Sequence, residues 1–143
     1  MTTQVGFQIR PAEAADRDRV QDLWEACGLA RGAPDEWDAL MEGPTSVVLA
    51  ADRDGELIGA AVATFDGWRA YIYHVAVGRQ WRREGIGHDL VAAAEQYLLS
   101  AGARYVYVMV NQENTEGLAL VGSVGYLPEG EIVLAKRLAN RLT

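Results

Sequence analysis

The sequence predicts an α/β protein built around one sheet, and three observations lead there. Segments with the alternation of strands and segments with the period of helices follow one another in the order β-α-α-β-β-β-α-β-α-β. The turn pairs Asp54-Gly55 and Asp66-Gly67 join neighbouring strands into a meander. A strand, a long helix and another strand then succeed each other over residues 70–110, a crossover unit whose strands should run parallel or nearly so.

Taken in order, "VGFQIRP" alternates Val5, Phe7 and Ile9 and should form a first strand stopped by Pro11. Asp16 suits the N-cap of a helix that places Val20, Leu23, Trp24 and Cys27 on one stripe and ends at Gly28. "APDEWDALMEG" reads as a second helix, with Pro34 in its first turn, Trp37, Leu40 and Met41 inward and Gly43 closing it. "SVVLAADRDGELIGAAVATF" gives two strands, and "AYIYHVAV" the next. A helix from about Gly85 to Ala101 turns Ile86, Leu90, Ala94 and Leu98 inward, with Gly102 beyond its end. "RYVYVMV" is a further strand. A short helix begins near Asn114 or Thr115, weakened by Gly117 and Gly122, and a final strand is expected near Ile132 to Lys136.

The 143 residues fit a single domain, 1–143. Half are hydrophobic and 23% charged, a globular composition. A net charge of −7 leaves no overall footprint for nucleic acid or an anionic membrane, so any anion must be gripped locally. The opening residues resemble neither a secretory leader nor a transit peptide, and the longest apolar run is far short of the roughly 20 residues a span requires. Cys27 is the only cysteine; with no intrachain disulfide available, the chain reads as cytoplasmic. No cysteine-histidine cluster suggests a metal.

The stretch "YHVAVGRQWRREGIGHDL" sets arginines and two glycines at the mouth of the long helix, where unpaired amides and aligned peptide dipoles favour an anion, most often a phosphate. It lacks the GxxxxGK[ST] of a P-loop. A dinucleotide fingerprint would need a third glycine where Leu90 stands.

The run Arg82-Arg83-Glu84-Gly85-Ile86-Gly87 does match Arg/Gln-x-x-Gly-x-Gly/Ala, after a strand ending at Val77 and the loop "GRQW". Here the chain resembles the GNAT family of acetyl-CoA-dependent N-acetyltransferases. "IRPAEAADRDRVQDLW", "LAADRDGELIGAAVATFDG" and "NQENTEGLALVGSVGYLPEGE" extend the resemblance over nearly the whole length. It implies a mixed sheet whose two central parallel strands splay apart, with about three to four helices, and an enzyme that transfers acetyl from acetyl-CoA to a primary amine. It further implies that the amides of Arg82, Arg83, Glu84, Gly85, Ile86, Gly87 and His88 surround the pyrophosphate. Val75, Ala76 and Val77 would offer backbone to the pantetheine, and Asn114 would lie near the cofactor. The acceptor would be a small-molecule or protein amine attacking directly in a ternary complex, and an exposed C-terminal strand could pair two subunits into a homodimer.

Four positions depart from the family's pattern. The tyrosine usually credited with protonating the thiolate falls on Val121, a glutamate found in members that acetylate protein termini on Met109, a loop proline on Arg79 and a motif glycine on Arg83. General acid and base are therefore unassigned. The candidates for the base are His74, because imidazole exchanges protons readily near neutrality, and Glu113, because its loop should lie near the thioester. The alternative reading is a catalytically weak acyl-CoA-binding or sensing module.

Overall fold

A computed structural model describes residues 3–4 and 6–140; Val5 of the expected first strand lies outside them. The chain forms β1 (Thr3–Gln4), β2 (Phe7–Pro11), α1 (Arg17–Ala26), α2 (Pro34–Glu42), β3 (Ser46–Arg53), β4 (Glu56–Phe65), β5 (Ala70–Val77), α3 (Ile86–Ala101), β6 (Val106–Val108) and α4 (Thr115–Ser123). The strands lie in the sheet in chain order. Neighbours from β1 to β5 pair antiparallel, and β5 pairs with β6 in parallel. The crossover through α3 is thus the one expected.

Local chemistry explains most boundaries. Arg53 faces Glu56 across the β3–β4 hairpin, and both turn residues, Asp54 and Gly55, have positive φ, the geometry that suits the twist of paired strands. Pro34 opens α2, where its missing N–H costs nothing, and the Glu36 carboxylate accepts the Ala33 amide at 2.7 Å. Gly102, φ +108, ends α3 in the left-handed conformation its side-chain-free backbone allows.

The sheet is covered on both faces. One face packs Ile9, Leu49, Ala61 and Ile72 against Ile86, Leu90, Ala94 and Leu98 of α3. The other packs Val48, Ala60, Val62 and Ala76 against Val20, Trp24 and Trp37 of α1 and α2. Both tryptophans are core residues; Trp37 is 1% exposed. At Gly59 a Cβ would meet Ile86, Leu90 and the Ala76 carbonyl at 3.1–3.2 Å, so α3 lies as close to β4 as it does because that residue has no side chain.

Three expectations need correction. Asp16 stands at the start of α1 but makes no side-chain cap there. Its carboxylate, 3% exposed as a residue, accepts the Glu13 amide at 2.7 Å, Arg10 through two nitrogens at 2.7 and 3.0 Å, and Arg19 at 2.6 Å. With these four bonds, three of them from charged donors, the carboxylate is taken up before the first amides of α1. The strand expected over "RYVYVMV" is limited to Val106–Val108, because β5 is its only neighbour among the described residues and the two diverge. The strand expected near Ile132 to Lys136 is absent from the sheet: a strand needs a partner for its backbone, and residues 132–138 have none among the described residues.

Candidate functional site

The two parallel strands hold together only briefly. Their ladder joins Ala70 with Val106, Tyr71 with Tyr107 and Ile72 with Val108, and the Met109 amide donates to the Ile72 carbonyl at 3.2 Å. From Tyr73 to Val77, β5 continues without β6. Its pairing with β4 also shifts there: Val62 faces Tyr73 but Ala60 faces Ala76, so His74 and Val75 together oppose Ala61. This is a β-bulge, and His74 at its centre has φ +52. Bulge and splay coincide over the residues for which pantetheine contact was expected.

The loop after Val77 makes a short 3-10 turn at Arg79–Trp81, followed by Arg83 at φ +68 and Gly85 at φ +86. Asp89 N donates to Gly85 O at 3.0 Å, the first bond of α3. By position, the amides of Ile86, Gly87 and His88 therefore have no acceptor in their own helix. A Cβ at Gly85 would meet nothing within 4 Å, so the space beside this residue at the helix mouth is open. An anion of pyrophosphate size suits this cradle of dipoles, which does not depend on net charge.

The side chains of the loop behave differently from its amides. Arg82 folds back: its Nε donates to the Val77 carbonyl at 3.0 Å, and Nη1 lies 3.6 Å from Glu116 of α4. Glu84 is held 2.8 Å from Arg53, whose guanidinium also lies 4.8 Å from the centre of the Trp81 ring. His88 Nε2 is 3.0 Å from Ser123 Oγ, and that hydroxyl donates to Leu120 O at 2.6 Å, so the histidine is the donor and joins α3 to α4. Arg79 and Arg83 are exposed. A Cβ at Gly87 would come within 2.9 Å of Leu120, so this glycine serves helix packing as well as the cradle.

The candidate bases are not brought together. His74 Nε2 lies 3.0 Å from the Ala30 carbonyl, which can only accept, so Nε2 carries a proton and Nδ1 is left as the basic atom. Its ring stands edge-on to Trp24 at 5.0 Å, on the α1 face of the sheet. Glu113 is exposed in the β6–α4 loop, where its amide donates to Asn111 Oδ1 at 2.8 Å. Asn114 caps α4, accepting the Gly117 amide at 2.9 Å. Val121 is 7% exposed and packs inward from α4. Sequence reasoning missed Arg53, which braces the loop from 31 residues away, and only the helix-mouth motif itself signalled that the loop needed a brace.

Comparison with known proteins fits this geometry. A model of the acetyltransferase (GNAT) family matches residues 13–126. The chain belongs to that family. It is 28% identical, over 92% of its length and 96% of the relative's, to the acetyltransferase ECA0875 of Pectobacterium atrosepticum. Many solved structures share the fold, among them two aminoglycoside acetyltransferases. One is the aminoglycoside acetyltransferase meta-AAC0020 from an uncultured soil metagenomic sample, in complex with sisomicin, with TM-score 0.78, 20% identity and coverage of 95% of this chain and 98% of that one. The other is the aminoglycoside N-acetyltransferase AAC(6')-Iy in complex with CoA, with TM-score 0.77, 18% identity and coverage of 93% and 95%. The protein is thus an N-acetyltransferase of the GNAT fold with acetyl-CoA as its acetyl donor.

Proposed function

We propose that the enzyme moves acetyl to a primary amine of a small molecule or protein by direct attack within a ternary complex. One observation carries this reading: the splayed half of β5 and the acceptor-free amides of α3 lie at the same end of the sheet, joined by the loop of residues 78–85. In it the amides of residues 82–88 hold the pyrophosphate, with Arg79 and Arg83 as the available cations. Arg82, Glu84 and His88 contribute backbone, their side chains being engaged elsewhere. Pantetheine lies along Val75, Ala76 and Val77, as an added strand would, and Asn114 shapes the start of α4 beside it.

The acceptor ammonium must lose a proton before its nitrogen can attack the thioester carbon. Of the two candidates His74, through Nδ1, is the better placed, because Glu113 faces solvent. Charge developing on the thioester oxygen falls to a backbone N–H of β5. As the C–S bond breaks, the thiolate leaves without an acid at Val121, which is tolerable because an ordinary thiol titrates near about 8.5.

A polycationic amine is the favoured acceptor. Asp35, Asp38 and Glu42 are exposed on α2, the net charge is −7, and the two solved structures described above are aminoglycoside acetyltransferases. A screen of aminoglycosides, polyamines, amino sugars, amino acids and an N-terminal peptide with purified protein, read by release of free CoA thiol, should give saturable turnover with a polycationic amine. Tight acetyl-CoA binding with no thiol release from any amine would instead establish the second reading, a binding or sensing module. Val121 favours that second reading, since an aliphatic residue replaces the expected phenol.

A further inference from the structure

Residue 74 is where β5 departs from regular strand geometry. His74 has φ +52, a left-handed conformation that a residue with a side chain adopts at a cost, and it shares with Val75 the bulge opposite Ala61. Such a conformation persists where surrounding contacts hold it. Three contacts on the α1 side of the sheet do so. The Trp24 indole Nε1 donates to the His74 carbonyl at 2.9 Å, the Trp24 ring meets the imidazole edge-on at 5.0 Å and 85°, and the imidazole Nε2 donates to the Ala30 carbonyl at 3.0 Å.

Trp24 stands at the centre of this arrangement. It is buried in the core it shares with Val20, Val62 and Ala76. Its own carbonyl accepts the amides of Cys27 and Leu29 at 3.0 and 2.8 Å, so the turn that delivers Ala30 to the imidazole also starts from it. Trp37, its neighbour at 6.4 Å between ring centres, is equally buried, but its indole nitrogen has no hydrogen-bond partner among the described residues. The two tryptophans fill the same core, and of the two it is Trp24 whose indole N–H grips β5.

We infer that Trp24 is a positioning residue for the acetyl donor: its indole N–H, by holding the His74 carbonyl, fixes the bulge and so presents the backbone of Val75, Ala76 and Val77 to the pantetheine. This role rests on the reading in which pantetheine lies along those three residues. Without the indole N–H the His74 carbonyl loses a donor where water is scarce, and nothing offsets the left-handed geometry of residue 74. β5 then relaxes toward an extended course, and the residues after the bulge turn their backbone groups and side chains to different sides. Because binding requires the bulged form, the Trp24 bond and the cofactor favour each other by the same factor.

Isothermal titration of the full chain with CoA tests this on the wild type, Trp24→Phe and Trp37→Phe, each checked for its fold by circular dichroism. Both variants exchange a buried indole for a smaller ring and should melt below the wild type. Trp24→Phe should bind CoA about tenfold more weakly, the size of one buried hydrogen bond, while Trp37→Phe binds as the wild type does. In the wild type at saturating CoA, the Trp24 indole N–H should exchange with solvent about tenfold more slowly, and the Trp37 indole should slow by a smaller factor. That comparison needs no substitution and decides alone if Trp24→Phe does not fold. Wild-type affinity in Trp24→Phe, equal weakening of both variants, or equal slowing at both indoles overturns the role of Trp24. Amide shifts at Val75, Ala76 and Val77 in the same titrations separate the two levels. If these amides respond to CoA while Trp24→Phe binds as tightly as the wild type, the role of Trp24 alone falls; if they do not respond, the course of pantetheine falls and the role of Trp24 with it.

Discussion

Arg53 Nη2 lies 2.8 Å from Glu84 Oε1, and the same guanidinium sits 4.8 Å from the centre of the Trp81 ring. One residue at the end of β3 thus holds two residues of the loop that leads into α3, and pairs the loop's carboxylate with a cation. An acidic side chain left free there would repel a pyrophosphate. The pair is partly exposed, so its contribution to stability is at most about 1 kcal/mol. Its effect on binding should be larger than on folding.

Arg53→Ala is therefore expected to lower the melting temperature slightly and weaken acetyl-CoA binding about fivefold to tenfold, about 1 kcal/mol or somewhat more. Isothermal titration beside a thermal melt makes the comparison. Unchanged affinity would show that the loop keeps its shape without the brace.

Gly87 serves two purposes, which a paired substitution can separate. Gly87→Ala brings a methyl within 2.9 Å of the Leu120 side-chain end, and should destabilise the protein by no more than about 1 kcal/mol, because the leucine can shift and alanine favours the helix. Adding Leu120→Ala should recover part of that loss, a coupling between contacting residues readable in urea unfolding. Additive losses would mean that α3 and α4 do not pack at this point.

Asp16 predicts a particular response to acid. The hydrogen bond from Arg10, then those from the Glu13 amide and Arg19, hold its carboxyl well below the usual carboxylate range against the opposing effect of burial. Because the folded form titrates below the unfolded one, the stabilisation is complete above about pH 4 and is lost as pH falls from there toward the folded value. Asp16→Asn should cost about 2 kcal/mol at neutral pH, since it removes the carboxylate shared by Arg10 and Arg19 while Arg10 keeps Asp52 and Arg19 keeps the Gly55 carbonyl, and less in acid. Melting curves of both proteins between neutral and acid pH should converge; parallel curves would remove Asp16 from the acid response.

Val121→Tyr tests whether a phenol can be restored on α4. The position is 7% exposed, so the larger ring should overpack the helix and cost about 1–3 kcal/mol. The thiol-release rate should not rise, because a ring forced into this buried position displaces α4. A rate about tenfold higher at unchanged acetyl-CoA affinity would contradict this and identify leaving-group protonation as limiting.

Much of the fold was legible because hydrophobic period and turn chemistry are local. The Asp54-Gly55 hairpin, the Pro34 helix start and the Gly102 stop each follow from the conformational limits of one or two residues. The helix mouth was legible for the same reason. Asp16 misled as a helix cap because its partners include Arg10, whose approach depends on the strand that carries it. Arg53 was invisible because its contacts with Trp81 and Glu84 exist only once β3 and the loop are neighbours. The run from Ile132 to Ala135 has strand composition, yet composition does not supply the adjacent edge that makes a strand.

The claim that the acetyl donor is held at the mouth of α3 is tested most directly by mapping amide chemical shifts during titration with CoA. The account predicts the largest changes at Ile86, Gly87 and His88, with smaller ones along Val75, Ala76 and Val77. Saturable binding with those amides unmoved, and the largest shifts elsewhere on the sheet, would contradict it.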